Sequence, residues 1–437
     1  MSPAGADRIV GDASGGQGLL PAPAWRRAGD YVFVSSILPL RDGRLATSGA
    51  ASPWVGESAT AAQTDAIMET LARTLEAAGS ALDRLLKVEV LLADPADFPE
   101  FKHAYAKAVG DELPAITTIV VGDEHLLDGA RVGLHAVALA SDSDHERKVI
   151  YAEGVPDPTD AEHASHAVVA GPFVFCSGFP ATDFDTGIPV GTVAGTPYHG
   201  NNAQLQARYV IENLGKVLAA AGSSLEDLVK VQFYEDDLWN FAFTDQEWGK
   251  VIGVPPSRSS MSCRGFLVPG ATWIVNALGL VAGAGLEKKE TRAGIPWHPV
   301  DAGKANFSPG ILAGDWLFTA GQVPVPDITD PKWVGERPGL PHYWDRMEVE
   351  TDYTMKMLAQ QLEANGFGLG DVVEARIYLS DPRRDFRGFA RAWNRWYADV
   401  ERRPAMSIIP STQADGSSGV LIEGPGIEVD FTCYRGT

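Results

Sequence analysis

The sequence is poor in cysteine, in long apolar runs and in basic residues. Its three cysteines, Cys176, Cys263 and Cys433, are far apart and lack metal-ligand spacing. We therefore expect buried free thiols rather than disulfides or a metal site. No window approaches the roughly 18 consecutive apolar residues of a membrane span. Residues 1–18 lack the basic and apolar regions of a signal peptide, so a cytoplasmic protein is expected.

The shortage of basic residues limits the possible partners. A formal charge of -21 and a pI near 4.8 leave no broad basic surface. Nucleic acid and anionic membranes are therefore not expected to bind, and a small anionic metabolite would need a local basic group. The sequence also lacks a His/Cys cluster and a Gly-rich strand-to-helix loop, so it predicts no metal and no nucleotide cofactor.

What the sequence does contain is a threefold internal repeat. The phrase Ala-Ala-Gly-Ser-x-Leu opens the segment 77–88, returns at 220–231 and recurs in a more divergent form at 364–375. The three segments lie at nearly equal intervals, which is the signature of a repeated structural unit. Within each segment the first glycine stands where a helix C-terminus needs a left-handed residue.

The elements around this phrase repeat as well. Each copy starts with an apolar strand that runs into a small-residue turn, at 31–36, 173–178 and 316–322. A helix with 3.6-residue periodicity follows, then a strand and a second helix. Each copy then has a strand led by proline, at Pro114, Pro256 and Pro404, and ends with a last strand at 132–139, 273–280 and 427–434. This order predicts an α+β fold with the helices on one face of each sheet.

Polar segments rich in Gly and Pro, at 141–162 and 283–301, are typical of linkers. They predict three tandem domains, at 1–145, 146–287 and 288–437.

The third copy carries an insertion at 324–346 that is rich in proline and aromatic residues. A long aromatic loop in a compact domain is either a lid or a partner-binding loop.

Two motifs link these repeats to a known family. The turn Gly321-Gln322-Val323-Pro324 and the strand start Pro256-Ser257-Arg258, together with the repeated phrase, resemble the Rid family, the reactive intermediate deaminases. The resemblance implies a chorismate-mutase-like fold and homotrimers with clefts between subunits. Here it implies a pseudo-trimer within one chain, with sheets inside and helices outside, that is monomeric or weakly associated.

The resemblance also implies roles for an arginine and an acid. In the family, the arginine after Pro-Ser/Ala grips the substrate carboxylate, and Arg258 alone remains, since Ile116 and Met406 replace it in the other copies. A glutamate of the last strand orients or activates water in several members. Glu428 and Asp430 match it, and strand alternation places both on one face. Whether they share a cleft with Arg258 is left open by the sequence.

Further substrate-binding candidates follow from the same resemblance, and each has a structural alternative. The turn residues could serve close backbone approach or simply form turns. Asn276 in copy two and His135 in copy one occupy the position that Asp430 has in copy three. The structural alternatives are a buried amide for Asn276 and a structural histidine for His135. His199 precedes a helix for which asparagine is expected to form the N-cap. The turn residues are Ser177, Gly178, Gly321 and Gln322.

Two classes of function remain. One is a cofactor-free hydrolase or deaminase acting on a small carboxylated imine, enamine or enol ether, with a chorismatase-like hydrolase or lyase as the enol-ether variant. The other is a non-catalytic module that binds a metabolite. Retention of Arg258 favours the enzyme, and loss of the other two arginines favours the module.

Overall fold

The computed structural model describes most of the chain. The described residues are 20–47, 58–295, 305–325, 340, 343–413, 415–422 and 424–436. Most of the insertion 324–346, including His342 and Trp333, lies outside them. Within its described part, Tyr343 and Trp344 are exposed.

Copy one forms a five-stranded sheet with two helices, in the order β1-β2-β7-β5-β6. Its elements are β1 (Trp25–Ala28), β2 (Tyr31–Ile37), a small hairpin of β3 (Leu40–Arg41) and β4 (Arg44–Leu45), α1 (Ala59–Ala77), β5 (Leu85–Leu92), α2 (Phe98–Val109), β6 (Ala115–Val120) and β7 (Val132–Leu139).

Copy two forms a six-stranded sheet in the order β8-β9-β10-β13-β11-β12. Its elements are β8 (Arg147–Ile150), α3 (Thr159–Glu162), β9 (Ala167–Ala170), β10 (Phe173–Cys176), α4 (Asn202–Ala220), β11 (Leu228–Glu235), α5 (Phe241–Trp248), β12 (Ser257–Ser262) and β13 (Trp273–Leu280).

Copy three repeats that arrangement in the order β14-β15-β16-β19-β17-β18. Its elements are β14 (Lys289–Thr291), β15 (Gly310–Ala313), β16 (Trp316–Thr319), α6 (Arg346–Ala364), β17 (Val372–Leu379), α7 (Pro382–Trp396), β18 (Ala405–Pro410) and β19 (Ile427–Tyr434).

Local signals in the sequence set the ends of these elements. Asn201 caps α4 by accepting a hydrogen bond from the Gln204 N–H (2.7 Å), as predicted. The glycines of the repeated phrase, Gly79, Gly222 and Gly366, all have φ near the left-handed region, at 74°, 75° and 76°. The three prolines each directly precede a strand of the predicted position. Local chemistry therefore fixes where each helix stops and each strand starts.

The two segments predicted as linkers are more ordered than expected. The segment 141–162 contains β8 and α3, and 283–301 contains β14. Both strands are added to the outer edge of the following sheet, where they pair with β9 and β15. The linker prediction was wrong here because backbone pairing at a sheet edge needs little apolar sequence. The predicted boundaries at 145 and 287 still fall between the last strand of one sheet and the first of the next.

The helices lie outside and the three sheets face one another. The apolar stripe of α4 packs on the sheet of copy two, and Phe389 and Trp393 of α7 are fully buried in copy three. Between the sheets, Tyr31, Phe173 and Trp316 begin equivalent strands, and their ring centroids lie 5.3 to 5.8 Å apart. Aromatic edge contacts of this kind stabilise the shared core.

Equivalent contacts between the copies close a ring. The strand after the second helix of each copy (β6, β12, β18) contacts the next copy in the last part of a strand or just after it (β10, β16 and β2, respectively). The contacts are Gly178 N–H to Ile116 C=O (2.9 Å), Gly321 N–H to Arg258 C=O (3.1 Å) and Met406 N–H to Ser35 Oγ (2.8 Å). We call these interfaces 1/2, 2/3 and 3/1. The chain is thus an intramolecular pseudo-trimer; its monomeric state stays a prediction.

Candidate functional site

A large cleft opens at interface 2/3. Arg258 of β12 and Glu428 of β19 both line it, although they belong to different copies. Its volume is about 1340 Å³, and its wall includes the predicted turn residues Gly321 and Gln322. The backbone of Gln322 pairs with Val429 in both directions, at 2.8 and 3.0 Å, which fixes this turn beside Glu428.

Arg258 is held rigidly and almost completely buried. Its Nη1 donates to Asp245 Oδ1 (2.6 Å) on α5 and to the carbonyl oxygen of Asn306 (3.3 Å) in copy three. Asn306 in turn donates from Nδ2 to Asp245 Oδ2 (2.8 Å). The Arg258 Nη2 atom is buried and has no hydrogen-bond partner among the described residues. One side of the guanidinium is therefore satisfied, and the other retains an unused donor.

Three aromatic rings enclose the guanidinium. Its carbon lies 4.5 Å from the ring centroid of Phe233 and 5.0 Å from those of Phe241 and Phe307. Such contacts stabilise a cation that has lost water. The arginine is thus surrounded by groups that exclude solvent, which strengthens any ionic contact made by Nη2.

The partners of Arg258 were missed by sequence reasoning, although one signal was present. At the position of Asp245, copy one has Lys102 and copy three has Ala390. The acid thus occurs only in the copy that keeps the arginine. A buried arginine requires a charged partner, so this co-occurrence could have identified the pair. Asn306 and the phenylalanine rings carried no such signal.

Glu428 is buried in the wall of the same cleft. Burial raises the pKa of its carboxyl to about 8, and the neighbouring Asp430 adds to the increase. Polar contacts with the backbone of Ser260 and with the side chain of Ser259, together with the charge of Arg258, lower this pKa without cancelling the increase. At neutral pH, Glu428 is therefore a neutral acid that can donate a proton.

Asp430, the second acid predicted from the sequence, has a different environment. Its carboxylate accepts from Lys230 Nζ of copy two, from Ser259 Oγ (2.5 Å) and from the hydroxyl of Tyr378 (3.0 Å). It is fully buried and lies beneath the cleft rather than in the described lining. These contacts suit a carboxylate that joins copies two and three.

The other sequence candidates do not join this cleft. Ser177 and Gly178 lie in interface 1/2, where the Ser177 hydroxyl donates to Ser165 O (2.6 Å) and accepts from the Ile116 N–H (2.8 Å). His199 is exposed in a short turn ahead of α4.

Asn276 and His135 lie near the central axis instead. Asn276 lines a small axial cavity of about 60 Å³. His135 is buried, with Nε2 3.4 Å from Glu89 and 3.3 Å from Arg376 Nη1. Both belong to a buried polar cluster where the three copies meet.

The equivalent positions in the other two interfaces have neither the arginine nor the acid. Interface 1/2 pairs Ile116 with Ile274, and interface 3/1 pairs Met406 with Gly133, where interface 2/3 has Arg258 and Glu428. Ile116 and Met406 are fully buried in apolar cores. Of these three pairs, one therefore joins a cation to an acid.

Neither a metal site nor a membrane span is found in the described part of the chain. No group of three or more His, Cys, Asp or Glu among those residues could hold a metal ion. No helix there is long and apolar enough to cross a membrane. The three cysteines are buried and free, as predicted.

Comparison with known proteins places the chain in a family. The family model described as Endoribonuclease L-PSP matches three stretches, 25–140, 156–272 and 300–428, which together make up most of the sequence. The chain therefore belongs to this family, the Rid family indicated by its motifs, and contains three tandem copies of the family's domain.

Individual relatives match over a single copy. The mitochondrial protein mmf2 of Schizosaccharomyces pombe is 36% identical over 99 residues, which cover 22% of this chain and 70% of the relative. The 3-aminoacrylate deaminase RutC of Acinetobacter baylyi is 33% identical over 104 residues, which cover 24% of this chain and 76% of the relative.

Two solved structures are similar to a smaller and a larger part of the chain. Yeast Mmf1 is similar at 23% identity and a TM-score of 0.24, covering 30% of this chain and 92% of its own. A chorismatase is similar at 12% identity and a TM-score of 0.45, covering 80% of this chain and 93% of its own.

Proposed function

We propose that this protein is a cofactor-free hydrolase that deaminates a carboxylated imine or enamine in the cleft at interface 2/3. The observation that carries the proposal is that Arg258 and Glu428, supplied by different copies, line the same cleft. A positive charge and a neutral acid are the two groups that hydrolysis of a carboxylated C=N bond requires. We place the reaction in the cytoplasm, as the sequence suggested.

Arg258 binds the substrate carboxylate in this proposal. Its Nη2 is the unused donor, and Asp245 with Asn306 keeps the guanidinium in place before the substrate arrives. A rigid site loses little entropy on binding, and its low polarity strengthens the ionic bond. The carboxylate end of the substrate is thereby fixed, so that its C=N carbon lies beside Glu428.

Glu428 moves the protons. In its neutral form it donates to the nitrogen of the C=N bond, which makes the carbon more electrophilic. The resulting carboxylate then accepts a proton from the water that attacks this carbon. Glu428 then returns this proton to the nitrogen of the adduct and takes the hydroxyl proton as the C–N bond breaks. Ammonia leaves with a 2-oxo acid, so no redox step or co-reactant other than water is needed.

The relatives support the same chemistry. A family member that is 33% identical to part of this chain is named a 3-aminoacrylate deaminase, and 3-aminoacrylate is a carboxylated enamine. The substrate of the present protein shares that chemical class in our proposal.

The proposal is tested with 2-iminopropionate generated in situ. We expect wild-type protein to release ammonia faster than the spontaneous reaction, and Arg258→Ala to lower kcat/KM on the order of 10- to 100-fold, because a hydrogen bond to a charged group is lost. Ammonia release is the measurement, with semicarbazone trapping as a second readout. The control is Arg208→Ala, which removes a half-exposed arginine on α4 of the same copy.

Two results would contradict this function. One is wild-type ammonia release no faster than the background. The other is an Arg258→Ala variant that folds and retains full activity. Removal of Arg258 leaves Asp245 without its ion-pair partner, so Arg258→Lys is measured as well. Lysine keeps the positive charge but lacks the planar guanidinium, and we therefore expect a rate between those of the wild type and Arg258→Ala.

Gly321 provides a second test of the position of Glu428. A Cβ at Gly321 would lie 1.8 Å from Glu428 Oε1, so Gly321→Ala must displace the acid. We expect kcat/KM to fall on the order of 100-fold, because a shift of about 1 Å in a reacting group has this effect. Steady-state ammonia release and thermal unfolding are measured together.

The control for Gly321→Ala is a second glycine-to-alanine substitution that causes steric crowding in the same copy, at a position away from the cleft. A Cβ at Gly310 on β15 would lie 2.9 Å from Gln361 Nε2. Gly310→Ala is expected to lower the unfolding temperature and to leave kcat/KM close to wild type. Equal losses of activity in the two variants would show that the effect of Gly321→Ala is only a loss of folding.

A further inference from the structure

The cleft at interface 2/3 is far larger than a three-carbon imino acid requires. Its volume of about 1340 Å³ exceeds the roughly 300 to 1000 Å³ typical of sites for drug-sized ligands. The cavity beside Ser177, whose lining residues all belong to copy two, measures about 40 Å³.

The walls of this space are mainly apolar and partly aromatic. Phe241 and Phe266 come from copy two, and Phe307, Leu421 and Ile422 come from copy three. Phe266 is 6% exposed, and Leu421 and Ile422 are half-buried. An apolar wall that remains accessible in a folded protein marks a binding site.

A longer loop in copy three builds one of these walls. The connection between its last two strands runs from 411 to 426, whereas the equivalent connections run from 121 to 131 and from 263 to 272. Leu421 and Ile422 lie in this loop and line the cleft. The loop is anchored by a bridge between Val420 and Met261 and by the Gly419 C=O, which accepts from the Ser262 N–H at 2.9 Å. These contacts attach the part of the loop beside Leu421 to β12.

Polar side chains line several parts of the cleft, among them Asp236, Asp237, Arg264 and Asp415. Arg258, enclosed by Phe233, Phe241 and Phe307, defines the place of the carboxylate, and Glu428 defines that of the C=N bond. The wall formed by Phe266, Leu421 and Ile422 is left for the remainder of the substrate. That remainder must be large and apolar to remove this surface from water.

We infer that the natural substrate is a 2-imino or 2-enamino carboxylate with a bulky aryl side chain, such as the imino acid derived from an aromatic amino acid. This inference rests on the proposed function and specifies its substrate class. Aryl groups fit the phenylalanine walls because ring pairs contribute about 0.5 to 1.5 kcal/mol beyond the area they bury.

The reaction balances with water alone. For 2-imino-3-phenylpropanoate, the oxygen of water forms a bond with C2, and the imine nitrogen gains both protons of that water in two transfers. The C2–N bond then breaks, ammonia leaves, and C2 becomes the carbonyl carbon of phenylpyruvate. An oxidative or eliminating enzyme that acts on aromatic amino acids must supply such an imine, since its C=N bond has to be formed from an amine.

The experiment compares two imines that differ in the side chain. An amino acid oxidase generates 2-imino-3-phenylpropanoate or 2-iminopropionate in situ, and the wild-type rate above background is measured for each. We expect kcat/KM to be at least about 10-fold higher for the aryl imine, as expected of a filled apolar pocket. Binding of phenylpyruvate and pyruvate is measured by calorimetry, so that affinity is known independently of turnover.

A substitution in the apolar wall tests whether the cleft is responsible for the preference for the aryl imine. Leu421→Asp places a charge in the apolar wall, and the ratio of the two kcat/KM values should fall towards one. Val190→Asp is the control, since Val190 is a fully exposed apolar residue of copy two that does not line the cleft. The control should keep the wild-type ratio.

The outcomes separate this inference from the proposed function. Turnover of both imines without an aryl preference, and with equal binding of the two 2-oxo acids, overturns the substrate class and leaves the hydrolase standing. Tighter binding of phenylpyruvate that is lost in Arg258→Ala, without turnover, overturns hydrolysis and supports the ligand class. If the protein neither binds nor converts these compounds, both are overturned.

Discussion

Replacing Glu428 by glutamine is expected to lower kcat/KM for the imine by about 10²- to 10⁴-fold, the usual contribution of a positioned general acid. Glutamine has the same shape and can still form hydrogen bonds with Ser259 and Ser260. It cannot donate a proton to the C=N nitrogen or accept one from water. The measurement is ammonia release under saturating and limiting substrate, together with the unfolding temperature.

The pH dependence of the wild-type enzyme tests the same group. Because burial raises the pKa of Glu428 to about 8, the acid form predominates below that pH and is lost above it. We therefore expect kcat/KM to fall as the pH rises through about 8. A profile that rises steadily across this range would show that the neutral carboxyl is not the reactive form.

A matched control is available at another interface. Glu162 of α3 is also buried, and burial raises the pKa of its carboxyl to about 8. It does not line the cleft, so Glu162→Gln removes a comparable buried acid without touching the proposed reaction. If Glu162→Gln and Glu428→Gln lose activity to the same extent, Glu428 has no specific role in proton transfer.

Replacing Arg376 by methionine is expected to lower the free energy of unfolding by about 3 to 5 kcal/mol, the cost of leaving a buried charge without its partner. Arg376 of copy three donates from Nη1 and Nη2 to the two carboxylate oxygens of Glu89 in copy one, each at 2.7 Å. Its Nη2 also donates to the Tyr234 hydroxyl of copy two at 3.0 Å. The side chain thus connects all three copies. Urea unfolding followed by tryptophan fluorescence measures the change.

An exposed ion pair between the same two copies is the control. Arg383 pairs with Asp128 at 2.7 Å, and the Asp128 side chain is 93% exposed. Arg383→Met should change the free energy of unfolding by less than about 1 kcal/mol. The buried pair would be unimportant for stability if Arg376→Met had no larger effect. In the double variant Glu89→Leu with Arg376→Met, much of the loss should be recovered because neither charge of this pair is left without its partner.

The acid dependence of stability follows from the same pair. Burial by itself would raise the pKa of Glu89, but Arg376 and His135 outweigh it and hold that pKa well below the usual range. A carboxylate with a depressed folded-state pKa contributes stability above its unfolded pKa, and this contribution is lost as the pH falls. Wild-type protein should therefore lose stability towards acid more steeply than the double variant.

Most of the fold could be predicted from the sequence because its signals are local. The period of the apolar residues and the caps identify α4, and the predicted last strands at 132–139, 273–280 and 427–434 coincide with the observed ones. The edge strands β8 and β14 were missed. Their residues pair through the backbone, and the sequence gives little sign of such pairing.

The site could be predicted only in part. Arg258 stood out because the other two copies have apolar residues at its position, and Glu428 because it lies at the family's acid position. The partners Asp245 and Asn306, and the apolar wall at Leu421, come from segments whose contacts depend on how the copies are arranged. A sequence lists the residues of each copy and does not say which copies face one another.

The sequence by itself determined that the chain is a triplicated Rid-family protein and that its copies have become unequal. It did so because repeats, caps and strand periods are written in neighbouring residues. Only the tertiary structure decided that Arg258 and Glu428 line one cleft, that Asp430 forms an ion pair with Lys230, and that the cleft is large. Those outcomes depend on the cyclic order of the three copies, which arises from long-range packing across their interfaces.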